Sequence, residues 1–126
     1  MSVRHSVRCE VSAVPLEVCS VPRPDWAPLP REGCRGVEVK VLLEDDHLLV
    51  AMLRFGPHGT IDEHPSHVDG DVVCLDGRGM TSVGGEHAPI RAGERVHWPA
   101  DVPHRLWTED SEMVTLMIEH RRDAER

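Results

Sequence analysis

The feature that most constrains the fold of this chain is a long series of short apolar segments separated by turn residues. From residue 37 onward, segments rich in Val, Leu, Ile and Met alternate with turns that contain Gly, Pro or Asp. None of the segments shows the 3.6-residue apolar period of an amphipathic helix. Short strands at spacings of roughly 8–12 residues are typical of β-sandwiches and β-barrels. The pattern therefore predicts an all-β domain, with strands at residues 37–43, 48–55, 59–67, 71–77, 87–90, 95–99, 104–108 and 112–119.

The region before residue 37 has a different composition. Its prolines break helices and central strands, and they stand at Pro15, Pro22, Pro24, Pro28 and Pro30. We expect an extended Pro-rich N-terminal arm over residues 1–36, a β-barrel over 37–120 and a C-terminal tail over 121–126. Trp26 and Leu29 are the side chains that would pin the arm to the barrel or to a second subunit; a loosely attached arm is the alternative.

Charge and composition exclude several classes of partner. The 126-residue chain carries a formal net charge of −8, which disfavours nucleic acid because phosphate binding needs a basic surface. No apolar run approaches the roughly 20 residues that cross a bilayer, and the N-terminus lacks the apolar stretch of a signal peptide. We therefore expect a cytoplasmic protein without a membrane partner. None of the four cysteines forms a C-x-x-C pair, so free thiols are expected.

The histidine-rich stretch around residue 67 contains the first candidate metal ligands. A two-residue Asp-Gly loop would pair Val68 with Asp71, whereas a three-residue loop would pair His67 with Asp71. In the second case the Cβ atoms of His67 and Asp71 would lie about 5 Å apart. Along a straight strand they would lie about 13 Å apart, which is too far to share an ion. Imidazole and carboxylate are suitable ligands for a divalent first-row metal.

Two longer patterns resemble the motifs of a known family. Residues 93–108 read Gly93-ERVHW-Pro99-A-Asp101-VP-His104-RLW-Thr108, and residues 59–77 read Gly59-TIDEH-Pro65-S-His67-VDG-Asp71-VVCLD-Gly77. These stretches resemble the two motifs of the cupin superfamily, G-x5-P-x-G-x2-H-x3-N and G-x5-H-x-H-x3,4-E-x6-G. The resemblance covers roughly residues 38 to 119. It implies a single-domain cupin β-barrel, which is a double-stranded β-helix or jelly roll.

The resemblance also implies a metal site. Carried over position by position, the metal ligands of the family fall on His67, Asp71 and His104. Pro65 stands where the family has its first histidine, and proline cannot bind a metal. The neighbouring His64 is a candidate fourth ligand, although it would need a β-bulge to turn inward. The resemblance therefore implies one divalent transition metal, which could be Fe, Mn, Ni or Zn.

Five further side chains are candidates for lining a pocket inside the barrel: Trp98, His97, Arg54, Trp107 and Met113. Strand alternation requires that one of His97 and Trp98 faces inward and the other outward. Core packing is the alternative for Trp98 and Met113. Arg54 could bind an anion if it faced inward, and a surface salt bridge is its alternative.

Three functions are compatible with these residues. If a metal binds at His67, Asp71 and His104, the resemblance implies an oxidoreductase similar to a dioxygenase, acting on a small organic metabolite. The same site could instead serve an isomerase or a lyase, because function belongs to sites rather than folds. Without a metal, the barrel would be a non-catalytic module that binds or senses a small molecule. The ligand is expected inside the barrel, and the resemblance implies a homodimer whose arm crosses to the partner.

Overall fold

The computed structural model describes residues 15–121, and every regular element in this range is a β-strand. The strands are β1 (Ala27–Pro28), β2 (Cys34–Glu44), β3 (Leu48–His64), β4 (Asp69–Val83), β5 (Glu86–Arg91), β6 (Arg95–Trp98), β7 (His104–Trp107) and β8 (Met113–His120). The all-β prediction is confirmed. A helix able to span a membrane does not occur in this part of the chain. The cytoplasmic location and the homodimer stay predictions.

Two long strands, β3 and β4, organise the barrel because each pairs with different strands along its two halves. The first half of β3 pairs with β8, with Phe55 opposite Met113, and its second half pairs with β7, with Thr60 opposite Trp107. Strand β4 pairs with β6 and β8 in its first half and with β5 and β7 in its second half. Strands β7 and β8 therefore both lie between β3 and β4, and the antiparallel sheet closes into the predicted cupin-type β-barrel.

Gly77 is the point where β4 passes from one group of partners to the other. Its φ of 78° lies in the left-handed region, which glycine adopts without steric cost. A Cβ atom at this position would lie 2.1 Å from the Glu112 carbonyl oxygen. Only glycine fits this crossing of two backbones.

The core follows from the alternation of side chains along the strands. On β4, Val72 and Cys74 are completely buried inside the barrel, so Asp71 points away from the interior. The buried apolar side chains form one cluster, which consists of Val37, Val39, Ala51, Leu53, Phe55, Ile61, Val72, Cys74, Ile90, Trp98, Leu106 and Met113.

The described part of the N-terminal arm lies along β2. Strand β1 pairs with β2, with Ala27 opposite Val39, and the Arg23 amide donates a hydrogen bond to the Val41 carbonyl at 3.1 Å. Further along, Leu29 packs against the core cluster. The arm is therefore a strap held against β2 and the core.

Trp26 fastens the strap from outside the barrel. The Lys40 ammonium lies 5.1 Å from the centroid of the Trp26 ring, and the Arg54 guanidinium lies 4.4 Å from it. Both distances are within the range of cation–π interactions. The expectation that Trp26 and Leu29 hold the arm on the barrel is confirmed for the described residues.

The cysteines do not all match the expectation of free thiols. Cys34 and Cys74 are free, but Cys19 is disulfide-bonded. Disulfide formation depends on the separation of the two Cα atoms in the folded chain, which the spacing of cysteines in the sequence does not reveal.

Candidate functional site

A cavity of about 360 Å³ opens inside the barrel beneath the strap. This volume lies near the lower end of the range for small-molecule sites, which is about 300–1,000 Å³. Its walls are mainly aliphatic, and its polar groups are two imidazoles, a hydroxyl and a few charged side chains at the rim. The lining residues are Arg23, Leu29, Pro30, Arg31, Val39, Val41, Leu49, Ala51, Leu53, Ile61, His64, Ser66, Val68, Gly70, Trp98, His104, Met117 and Glu119.

His64 and His104 are directly opposite each other on the paired strands β3 and β7. Their ring centroids are 4.6 Å apart in an edge-to-face arrangement. The indole of Trp98 stacks on His104 with centroids 4.0 Å apart and an interplanar angle of 12°. His104 is only 2% exposed, so its ring is fixed between Trp98 and His64 at the base of the cavity.

A β-bulge, which His64 needs in order to face inward, is present in β3. Ile61 pairs with Leu106, and His64 pairs with His104. Between these pairs the chain advances three residues on β3 and two on β7, so β3 carries one extra residue. Such a bulge reverses the facing of the residues that follow it, and both Ile61 and His64 therefore reach the interior.

Backbone carbonyls fix the protonation of both imidazoles. The Nδ1 atom of His64 lies 2.9 Å from the Asp62 carbonyl, and that of His104 lies 3.2 Å from the Val102 carbonyl. A carbonyl oxygen can only accept, so each Nδ1 donates its proton. In the neutral ring Nε2 is then an acceptor. Within residues 15–121, the fully buried side-chain N and O atoms that lack a hydrogen-bond partner are Arg105 Nε and Thr115 Oγ1. His104 Nε2 is not one of them, and His104 lines the cavity, so this atom is accessible to a ligand.

The electrostatic environment keeps His104 uncharged. Burial is the largest effect that lowers its pKa, and the charges of His64 and Arg31 lower it further. The hydrogen bond to the Val102 carbonyl opposes this shift, and the resulting pKa is about 4. At pH 7 the ring of His104 is therefore neutral and presents a lone pair at Nε2.

The predicted ligands His67 and Asp71 do not join His104. Strand β3 ends at His64 and β4 begins at Asp69, so His67 lies in the connection between them rather than in a hairpin opposite Asp71. The side chain of His67 is 96% exposed and pairs with Asp101 at 3.1 Å. Asp71, on β4, instead lies opposite His97 of β6 and Ile118 of β8. The three-residue-loop interpretation is therefore wrong.

Asp71 forms a polar cluster on the outer face of the barrel. His97 Nδ1 donates to one carboxylate oxygen at 3.0 Å, and His120 Nε2 donates to the other at 2.9 Å. Partial burial raises the pKa of Asp71, but these two hydrogen bonds, together with the charges of His97 and Arg95, outweigh it and lower the pKa overall. Asp71 thus ties three strands together and does not face the cavity.

Of the five predicted pocket residues, only Trp98 lines this cavity. His97 faces outward to Asp71, as alternation requires. Arg54 pairs with Glu38 on the outside, and Trp107 is covered by the Arg105 guanidinium at 4.1 Å. Met113 is buried in the core and lines a separate outer groove together with Arg54.

The observed register moves the first cupin motif by one residue. With His64 as the first histidine position, the second falls on Ser66 and the acid position on Gly70. The six-residue gap that follows then ends at Gly77 without shortening. The initial glycine position falls on His58, whose φ of 60° is left-handed. Of the shifted positions, Ser66 and Gly70 line the cavity together with His64.

The second motif keeps its predicted alignment. Asp101, at the position of a turn glycine, has φ 65°. Thr108, at the asparagine position, accepts a hydrogen bond from the Gly59 amide at 3.0 Å and donates one to the Gly56 carbonyl at 2.6 Å. Thr108 therefore holds the end of β7 against the middle of β3.

The donor set in the cavity does not fit a transition metal. Ser66 and Gly70 stand at two of the four ligand positions, so two imidazoles and one hydroxyl remain. Catalytic metal sites generally use three protein ligands. In the described range, no three His, Cys, Asp or Glu side chains are placed to hold an ion. The predicted site at His67, Asp71, His104 and His64 is therefore not assembled.

Most of the lining residues were not predicted from the sequence, and the ones that matter for function are Arg23, Arg31, Ser66, Gly70 and Glu119. The unshortened gap from Gly70 to Gly77 was a signal for the shifted alignment, and it identifies Ser66 and Gly70. No sequence signal identifies Arg23 and Arg31, because their position depends on the path of the strap.

Comparison with known proteins gives the same fold. The family model described as a cupin domain matches residues 51–119, which is more than half of the chain. Comparison with curated proteins gives no match. The polyketide cyclase RemF from Streptomyces resistomycificus is similar in structure, with a TM-score of 0.72 at 15% identity; the match covers 78% of this chain and 74% of that chain.

Two other solved structures have the same architecture. KdgF from a Halomonas species has a TM-score of 0.65 at 18% identity, over 81% of this chain and 91% of that chain. A cupin 2 conserved barrel domain protein from Leptotrichia buccalis has a TM-score of 0.65 at 27% identity, over 72% of this chain and 43% of that chain. With the matched family model and the barrel described above, this chain belongs to the cupin family.

Proposed function

We propose that this cupin binds a small organic molecule in its barrel cavity without a resident transition metal. The observation that carries the proposal is the pair of imidazoles, His64 and His104, in a mainly aliphatic cavity whose one carboxylate, that of Glu119, pairs with Arg121. A pocket with apolar walls and a few convergent polar groups is the usual form of a small-molecule site.

The positions of Ser66 and Gly70 support a binding role. Small residues at these two places leave volume where the family motif has a histidine and a glutamate, and that volume is part of the cavity. The aliphatic walls would contribute to affinity through burial of apolar ligand surface, at about 25 cal/mol per Å². Part of this gain offsets the loss of ligand motion on binding.

A metal-dependent oxidoreductase is less well supported. That function requires a third protein ligand beside His64 and His104, and the acid proposed for it, Asp71, faces the other side of the sheet. The similar proteins include a polyketide cyclase, but at 15% identity this likeness concerns the fold alone. Binding or sensing is therefore the function we propose.

The proposal is tested with chelator-treated protein. We expect thermal-shift screening against small organic molecules to find ligands that raise the melting temperature, with equal affinity before and after addition of Fe, Mn, Ni or Zn. Gly70 lines the cavity, so the side chain of a Gly70→Leu variant should fill it and abolish the shift in melting temperature. The variant should fold, because a Cβ at Gly70 makes an ordinary contact of 3.5 Å with the Ile118 carbonyl oxygen. Leu75→Ala, at an exposed site on the same strand, is the control and should leave the shift unchanged.

Two outcomes would contradict the proposal. One is stoichiometric metal in the wild-type protein after equilibration with these ions. The other is ligand binding that survives in a folded Gly70→Leu variant, because the ligand would then lie outside the cavity.

A further inference from the structure

We propose that the ligand is a small hydroxy acid, with its hydroxyl donating to one of His64 and His104 and its carboxylate held by Arg31 and Arg23. This inference rests on the proposed function and names the chemical class that the cavity selects. It follows from two kinds of polar group that line the cavity, the imidazoles of His64 and His104 and the exposed guanidinium groups of Arg23 and Arg31.

The base of the cavity selects a hydrogen-bond donor. His64 and His104 each use Nδ1–H on a backbone carbonyl, so Nε2 is the acceptor atom of a neutral ring at both positions. A ligand group without a proton to donate, such as a carboxylate or a ketone, would face two acceptors there. An alcohol or phenol donates a hydrogen bond to one of them directly. A ligand that cannot donate leaves a buried acceptor unpaired, which weakens its binding.

The rim of the cavity selects an anion. Arg23 and Arg31 both line the cavity, and within residues 15–121 no carboxylate forms an ion pair with either of them. The charge of Arg31 lowers the pKa of His104, so this guanidinium lies close enough to His104 to interact with it electrostatically. A guanidinium binds a carboxylate through two parallel hydrogen bonds.

One acidic group also lies in the cavity wall, and it does not cancel this preference. The Glu119 carboxylate accepts a hydrogen bond from Arg121 Nε at 3.4 Å, and Arg121 also pairs with Glu44 at 3.2 Å. Glu119 thus shares a cation outside the cavity. The two arginines of the strap remain available to a ligand.

The strap that carries these arginines is held in place before any ligand binds. The Arg23 amide donates to the Val41 carbonyl, and the Leu29 amide donates to the Val37 carbonyl at 3.0 Å. Leu29 packs on the core. The positions of the two arginines relative to the imidazoles are therefore set by the fold, which favours a ligand that carries its hydroxyl and its carboxylate on one rigid apolar body.

The experiment compares three probes of one shape: 4-hydroxybenzoate, benzoate and phenol. Their affinities for chelator-treated protein are measured by isothermal titration calorimetry. We expect 4-hydroxybenzoate to bind at least about 10-fold more tightly than phenol, which lacks the charged hydrogen-bonding group for the arginines. It should also bind at least about 10-fold more tightly than benzoate, which leaves both imidazole acceptors unpaired. Arg31→Gln should remove about 10-fold from the affinity for 4-hydroxybenzoate and leave that for phenol unchanged.

Arg35→Gln is the matched control, because Arg35 is close in sequence and pairs with Asp62 outside the cavity. It should leave all three affinities unchanged. Equal affinities for phenol and 4-hydroxybenzoate would overturn the hydroxy-acid inference and leave the binding function standing. The same holds if none of the probes binds while uncharged molecules do. If no small molecule of any class binds in the cavity, the proposed function fails as well.

Discussion

A single substitution, Gly70→Glu, should convert the cavity into a metal site. Gly70 stands at the acid position of the shifted motif and lines the cavity together with His64 and His104. Its backbone accepts a side chain, because the nearest atom to an added Cβ is the Ile118 carbonyl oxygen at 3.5 Å. The variant would present two imidazoles and one carboxylate, which is a donor set that binds divalent first-row metals.

The magnitude follows from two opposing effects. Without metal, a carboxylate placed among aliphatic side chains should destabilise the fold by about 1–3 kcal/mol. With free metal at about 100 times its dissociation constant, binding should stabilise the folded state by about 2.7 kcal/mol. For a domain of this size that corresponds to a rise in Tm of roughly 10 °C between the metal-free and metal-loaded variant.

The measurement is thermal unfolding with and without Zn²⁺ or Ni²⁺, together with elemental analysis of the dialysed protein. Gly70→Gln is the isosteric control, since it has the same size and no negative charge, and neither it nor the wild type should show the rise. Stoichiometric metal in the wild type would refute the reasoning. So would a folded Gly70→Glu variant that takes up no metal, since position 70 would then not face the two histidines.

Three further predictions concern stability. The folded-state pKa of His104, about 4, lies below the unfolded value of about 6.5, so only the unfolded chain binds this proton between the two pH values. Stability should therefore fall by on the order of 3 kcal/mol as the pH is lowered from 6.5 to 4, and urea titrations of His104→Gln should lack this component. Thr115→Val should raise the free energy of unfolding by about 1 kcal/mol, because Thr115 Oγ1 is buried without a partner in the described range; a loss in urea unfolding would mean that the hydroxyl is satisfied. Asp71→Asn should cost about 1–2 kcal/mol of stability while leaving calorimetric ligand affinity unchanged, and a loss of affinity would place Asp71 in the site.

The fold was predictable because its signals are local. Strand spacing and turn residues indicate an all-β barrel, and the second cupin motif contains two backbone positions that constrain its alignment. Gly93 and Asp101 both have a positive φ, 92° and 65°. Shifting the motif by one residue would place other residue types in these left-handed conformations, which most side chains adopt only with strain. The predicted position of His104 on an inward-facing strand followed from this motif.

The first motif was aligned one residue too late because Gly59 matches the initial glycine of the family pattern. Gly59 fits the initial glycine of the pattern by residue type, but His58 fits it by conformation, with φ 60°. Starting at Gly59 placed Pro65, His67 and Asp71 at the ligand positions. A β-bulge adds one residue to β3 before His64, and no periodicity in the sequence reveals where such a residue is inserted.

The cationic rim could not be predicted for a different reason. Arg23 and Arg31 belong to an extended segment whose position depends on contacts with β2, on Leu29 in the core and on Trp26 outside. These are tertiary contacts between residues that are distant in the sequence. A Pro-rich composition indicates an extended arm, but it does not indicate which side chains of the arm turn toward the barrel.

Metal-free binding in this cavity depends most directly on which nitrogen of His64 and of His104 carries the proton. This can be measured by ¹⁵N NMR of the histidine side chains in chelator-treated protein, before and after addition of one equivalent of Zn²⁺. We predict that His64 and His104 both carry their proton on Nδ1 and that Zn²⁺ leaves their Nε2 signals unchanged. Protonation at Nε2, or a stoichiometric shift of both Nε2 signals on addition of Zn²⁺, would contradict a metal-free cavity that presents two acceptors to its ligand.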